Sequence, residues 1–147
     1  MTQTSLWAAG SAVPPKETLP KETLPKETLP KELKADTNFD GKIDMVETYD
    51  EKGFVVKRAF DTKGDGVFDE VMYFNEGKPV KGEKDVNRDG KPDSVTYYDE
   101  NGKPMKMEID TNGNGIIDEW VYYEDGKPMR AEKDTNEDGK VDTWIDY

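Results

Sequence analysis

The chain has no cysteine and no histidine among its 147 residues. Those absences exclude disulfides, thiolate zinc sites, cysteine nucleophiles and any histidine base. Apolar residues are also scarce, at 33 %, too few for an ordinary globule of this length. No apolar run is long enough to span a bilayer. Leu6-Trp-Ala-Ala9 is a short patch without a basic flank, and residues 1–14 carry only the trace of an export signal, ending near Ser11-Ala12-Val13. Positive charge is in deficit: 21 Lys and Arg stand against 33 Asp and Glu, giving a formal net charge of −12 and a pI near 4.5. A surface of this sign repels phosphates, so nucleic acid is not an expected partner. No Ser or Lys lies in a recognisable catalytic motif and nearly all acidic pairs belong to one recurring loop, so an enzyme is not expected.

That loop dominates the chain. Five copies begin at Asp36, Asp61, Asp85, Asp110 and Asp134, at spacings of 25, 24, 25 and 24 residues. The first reads Asp36-Thr-Asn38-Phe-Asp40-Gly41-Lys-Ile43-Asp44. In such a loop the side chains at positions one, three, five and nine turn oxygens inward. Glycine at six permits the sharp turn that brings the carbonyl of position seven to the same centre. The candidate ligands of loop one are Asp36, Asn38, Asp40, Asp44 and the carbonyl of Lys42. Those of loop two are Asp61, Asp65, Asp69 and the carbonyl of Val67; of loop three, Asp85, Asn87, Asp89, Asp93 and the carbonyl of Lys91. Loop four offers Asp110, Asn112, Asn114, Asp118 and the Ile116 carbonyl, and loop five Asp134, Asn136, Asp138, Asp142 and the Lys140 carbonyl. All are hard oxygen donors, the set that calcium takes.

One Asp-x-Asn-x-Asp-Gly is an ordinary surface turn, since Asp, Asn and Gly are favoured there for conformational reasons alone. Five copies with Asp at nine and Gly at six every time point to a shared chemistry. They gather 14 carboxylates in five places, and such charges repel unless a cation sits among them. Five divalent ions would bring the formal net charge from −12 to −2.

The loops resemble those of EF-hands, dockerins and thrombospondin type 3 repeats, and the resemblance implies calcium binding. It covers about nine residues of each unit. An EF-hand loop closes with a bidentate Glu at position twelve. Glu47 alone occupies that place, where the later loops have Met72, Thr96, Val121 and Ile145. Glu83, Glu108 and Glu132, each two residues before a loop, are the candidates to replace it. The sites are expected to be unequal. Lys63 at position three of loop two offers no oxygen and can partly replace the cation, so the site at Asp61 should be weakest or empty. Asn114 leaves loop four with two carboxylates, whereas loop one has four acidic candidates, Asp36, Asp40, Asp44 and Glu47, and should bind most tightly.

The segments between loops are not helices. Each has a glycine turn at its middle, usually followed by Lys-Pro, as at Gly77-Lys-Pro79, Gly102-Lys-Pro104 and Gly126-Lys-Pro128. Before the turn come β-branched and aromatic runs: Val71-Met-Tyr-Phe74, Val95-Thr-Tyr-Tyr98 and Trp120-Val-Tyr-Tyr123. After it comes alternation, which puts Met105, Met107 and Ile109 on one face. The difference between 24 and 25 falls in the turn, where Asp99-Glu-Asn-Gly102 is one residue longer than Glu124-Asp-Gly126. The expected fold is therefore all-β: an elongated tandem array of β-hairpins joined by calcium-binding loops over residues 36–147, each hairpin stacking on its neighbours. Tyr49, Phe74, Tyr98, Tyr123 and Tyr147 should form one ladder, and Val46, Val71, Val95, Trp120 and Trp144 another. Lys57, Lys81, Lys106 and Arg130 recur on the second strand and read as an exposed face with edge protection.

Residues 1–35 form a separate arm. Pro15-Lys-Glu-Thr-Leu19 repeats at Pro20 and Pro25 before a shortened Pro30-Lys-Glu-Leu33, and proline at every fifth residue predicts an extended segment. The last five residues, Thr143 to Tyr147, match a first strand without its return; Pro30 to Ala35 match a return strand without its first. The favoured reading is a secreted or cell-surface structural protein, braced by up to five calcium ions. Its partner would be itself, head to tail, with the arm completing a neighbour's sheet. The alternatives are a soluble calcium buffer or sensor, or an adhesive module using exposed tyrosines.

Overall fold

The computed structural model describes residues 31–147. Ten strands follow one another: β1 (Glu32–Ala35), β2 (Met45–Tyr49), β3 (Val55–Phe60), β4 (Glu70–Asn75), β5 (Lys78–Lys84), β6 (Ser94–Tyr98), β7 (Pro104–Ile109), β8 (Glu119–Glu124), β9 (Lys127–Lys133) and β10 (Thr143–Asp146). They form a single antiparallel sheet in sequence order, β1 to β10. The fold is the expected all-β hairpin array. Neighbouring hairpins, however, are joined edge to edge by strand pairing rather than stacked face to face. Most of the proline-rich arm lies outside the described residues; its final part, Glu32–Ala35, is β1 and pairs with β2. Among the described residues no helix is long and apolar enough to cross a membrane.

The sheet order places all five Asp-rich loops at one end and the four tight turns at the other. The turns alternate in kind. Glu76-Gly77 and Asp125-Gly126 are two-residue turns with positive φ at both positions, the twist a tight hairpin needs. Asp50 and Asp99 instead open four-residue turns, accepting the amides of Phe54 and Lys103 on a carboxylate oxygen at 2.9 and 2.8 Å. The structural repeat is therefore a four-strand block of 49 residues, the distance from Asp36 to Asp85 and from Asp85 to Asp134.

Register sorts the side chains onto two faces. On one, Lys57, Tyr73, Lys81, Tyr97, Lys106, Tyr122 and Arg130 stand opposite one another across seven strands. The cations lie over the rings, Lys81 at 5.6 Å from Tyr73 and Arg130 at 5.7 Å from Tyr122. These cations sit in the middle of the sheet, so they protect no edge, and the expectation that they would is corrected. Val46, Val71, Val95, Trp120 and Trp144 share this face but alternate with Ala59, Glu83, Glu108 and Glu132. On the other face, Tyr49, Phe74, Tyr98 and Tyr123 lie opposite Val55, Pro79, Pro104 and Pro128. A register shift beside each of these rings bulges out one residue of the return strand. Met105 is such a residue and is 51 % exposed. The bulge also admits a proline, which cannot donate to a ladder. Among the described residues the single layer has no enclosed core, and only Val95, Val121 and Ala131 are buried apolar residues.

Candidate metal loops

Each loop is wired by its own side-chain oxygens. At position one, Asp36 accepts the amides of Asp40 at 3.2 Å and Gly41 at 2.8 Å. The amides of Gly66, Gly90, Gly115 and Gly139 donate in the same way to Asp61, Asp85, Asp110 and Asp134. At position three, Asn38, Asn87, Asn112 and Asn136 accept the amide of position five. At position five, Asp40, Asp65, Asp89, Asn114 and Asp138 accept the amides of Lys42, Val67, Lys91, Ile116 and Lys140. At position nine, Asp44 accepts both the amide and the hydroxyl of Thr37 at 2.9 Å. Thr62, Thr111 and Thr135 serve Asp69, Asp118 and Asp142 in the same way. Loop three has Val86 at that place, and Asp93 takes the amides of Val86 and Asn87 instead. Threonine at position two was thus a functional residue missed by the ligand pattern, although its recurrence in four of five loops is visible.

This wiring forces left-handed backbone at positions four and six. Position four has φ between 59° and 73° in every loop: glycine in loops two and four, but Phe39, Arg88 and Glu137 in the others. Non-glycine residues there carry a strain of order 1 kcal/mol. The array then stitches loop to loop. In loops two to five the amide of the position-one Asp donates to the carbonyl of the preceding position nine, Asp61 to Asp44 at 2.9 Å and Asp110 to Asp93 at 2.8 Å. The enclosed carboxylates all lie at positions one and nine: Asp44, Asp61, Asp69, Asp110, Asp118 and Asp134 are under a tenth exposed, whereas Asp142 is exposed. Positions three and five are exposed in all five loops.

The same bonds keep the carboxylates charged. Backbone donation from Thr37, with its hydroxyl and the Asn38 amide, holds Asp44 below its ordinary range against the opposing effect of burial. Burial pushes Asp61 and Asp110 up, but amides from Gly66 and Gly64, and from Gly115 and Gly113, bring both below it.

Position twelve is not part of the loop. The exit element is a strand, which carries a residue about 3.3 Å onward per step, so Glu47 lies three residues up β2. There it accepts Arg58 Nε at 2.7 Å and the hydroxyl of Tyr49. In this structure Glu47 is thus engaged with the sheet. Glu83, Glu108 and Glu132 are likewise committed to the sheet. Each accepts a tyrosine hydroxyl, from Tyr73 at 2.9 Å, Tyr97 at 3.1 Å and Tyr122 at 3.1 Å, and pairs with Lys81, Lys106 or Arg130.

Comparison with known proteins agrees with the loop chemistry. A family model described as EF hand matches residues 33–48, which contain loop one. Loop one is EF-hand-like, and the match supports calcium binding there; the flanking elements are strands β1 and β2 rather than helices. No curated protein matches the chain. Among solved structures, the Glycosylation Associate Protein complex from Streptococcus agalactiae is similar at 18 % identity and a TM-score of 0.40, over 73 % of this chain and 19 % of that one. A TarM mutant from S. aureus, in complex with fondaparinux, alpha-GlcNAc-glycerol and UDP, is similar at 17 % identity and a TM-score of 0.38, over 70 % of this chain and 22 % of that one. The chain thus spans about a fifth of the length of either.

The five donor sets differ in their fit to calcium. Among the described residues no three acidic side chains converge as a ready-made ion cage; the loops stand in a hydrogen-bonded form. In loops one, three, four and five, oxygens occupy all four side-chain positions, and a carboxylate retains lone pairs beyond the amides it accepts. These residues fit a hard cation. Loop two does not. Lys63 Nζ lies 3.7 Å from Asp69 Oδ2, and Arg88 of loop three pairs with Asp65 and with Asp69, the latter at 3.3 Å.

Proposed function

We propose that the chain is a calcium-braced structural module, a rigid non-catalytic sheet held by its row of loops and working outside the cell or at its surface. The observation that carries this reading is where burial occurs. Six loop aspartates are under a tenth exposed, against three buried apolar residues in the whole sheet. A sheet so poor in apolar burial gains its stability elsewhere, and a ligand that binds only the folded state supplies it directly. Calcium in the range of extracellular modules, with Kd on the order of 0.1 to 1 mM, suits loops of this kind. A sensor that reorganises helices is disfavoured, since the flanking elements are strands throughout the described residues.

The finer reading is assembly. Within residues 31–147, β1 and β10 each pair on one side only, and Trp144 is 59 % exposed. Joining β10 of one copy to β1 of the next would extend the same antiparallel order into a filament.

The deciding experiment is a thermal melt of the full chain in calcium and in chelator. A sharp fall in Tm on chelation, with protease cleavage appearing at the loops, is the expected result. Equal melting in both conditions ends the calcium reading. Deletion of residues 1–35, and separately of 143–147, tests assembly by light scattering; polymers that form equally well from both truncations would dismiss it.

A further inference from the structure

In the 49-residue block, position four of one loop reaches back over the loop before it. Arg88, at position four of loop three, lies on loop two and contacts Asp65 and Asp69. Glu137, the equivalent residue one block later, lies on loop four and accepts Asn112 Nδ2 at 2.7 Å and Asn114 Nδ2 at 2.9 Å. Phe39 holds the same place in loop one, where the described sheet has no preceding loop, and it is 90 % exposed. The reaching residue thus matches the charge of what it covers: a cation over the carboxylates of loop two, an anion over the amides of loop four.

We infer that loop two takes no calcium, and that the guanidinium of Arg88, aided by the ammonium of Lys63, is its built-in permanent cation. This deepens the calcium reading of the other loops and rests on it. Three observations converge. Lys63 replaces the oxygen donor of position three and also donates to the carbonyl of Val86 at 3.0 Å, which anchors it between loops two and three. Arg88 spans two carboxylates that a metal would need. Its Nε is buried without an acceptor, so the side chain gives up a hydrogen bond to hold this position, a cost that the two ion pairs offset. Lys42 of loop one adds a third cation nearby, donating to the carbonyl of Gly64 at 2.9 Å. Loop two lies inside the first block, between β3 and β4, and these contacts tie it to loop three, which opens the second, so that junction would stay closed when calcium is withdrawn, while the others loosen.

The test uses Lys63→Asn with Arg88→Gly in the full chain. The first restores the residue found at position three elsewhere. The second is mild on the backbone, because glycine already serves position four in loops two and four at φ 70° and 73°. Native mass spectrometry counts the calcium ions on each chain. The expected result is one more ion on the double variant than on the parent. A parent that already holds five ions, or a double variant that gains none, overturns the inference; a parent holding no ion at all removes the calcium reading itself. In chelator, Arg88→Gly should lower Tm by several degrees, whereas Phe39→Gly, which relieves the same strain without breaking a bridge, should raise it. Equal shifts for the two variants would also overturn the inference.

Discussion

At the loop end of the sheet six carboxylates are under a tenth exposed, whereas at the turn end aromatic rings lie across from Val55 and the three prolines and no turn carboxylate is buried. Both ends close strands of the same sheet, and both use Asp as a backbone acceptor, Asp50 and Asp99 capping their turns much as the loop aspartates do. The difference is in enclosure. A turn aspartate faces water and needs no counter-ion. Six of the loop aspartates are instead shut in, Asp44, Asp61, Asp69, Asp110, Asp118 and Asp134, so the energy of that end depends on what neutralises them. One sheet thereby leaves its carboxylates open at one end and encloses six of them at the other.

Calcium should separate the two ends most strongly. Tenfold excess over Kd contributes about 1.4 kcal/mol per site, so several sites together move stability by several kcal/mol. Hydrogen exchange should show the loop amides losing protection in chelator well before those beside Tyr73, Tyr97 and Tyr122; simultaneous loss at both ends would erase the distinction. Acid comes next. Asp44, Asp61, Asp69 and Asp110 are held below their ordinary value of 3.8. Their contribution is complete above that value and is lost as pH falls through the lower folded values. Unfolding in chelator, followed by circular dichroism, should therefore begin below pH 3.8 and start in the loops.

Single residues give smaller effects. Asp118→Ala leaves the amide and hydroxyl of Thr111 without their acceptor and should cost about 2 kcal/mol in urea unfolding. Val121→Ala removes one of the few buried apolar side chains, but in a one-layer sheet the cost should be only about 1 kcal/mol and independent of calcium. Smallest is Glu76→Asn at the two-residue turn, where φ is 49°; asparagine tolerates that backbone better and should stabilise by about 0.5 kcal/mol.

Much of this was legible before any coordinates. The five loops, the strand on either side of each turn and the one-residue difference between turns follow from local rules: hard donors at fixed offsets, β-branched and aromatic runs, and glycine where φ must be positive. Even the odd character of loop two was visible in Lys63. What the chain could not reveal locally is who stands beside whom. Arg88 lies 23 positions from Asp65 and touches it only because two strands fold back between them. Glu47 matches position twelve of an EF-hand loop, and only strand pairing reveals that it meets Arg58. Glu83, Glu108 and Glu132 were drawn away by tyrosines on neighbouring strands. The sequence by itself determined the local chemistry of each loop and the strand pattern, because backbone preference and donor spacing act within about ten residues. Only the tertiary structure decided which cations and carboxylates meet, because strand pairing brings together residues that no local period connects.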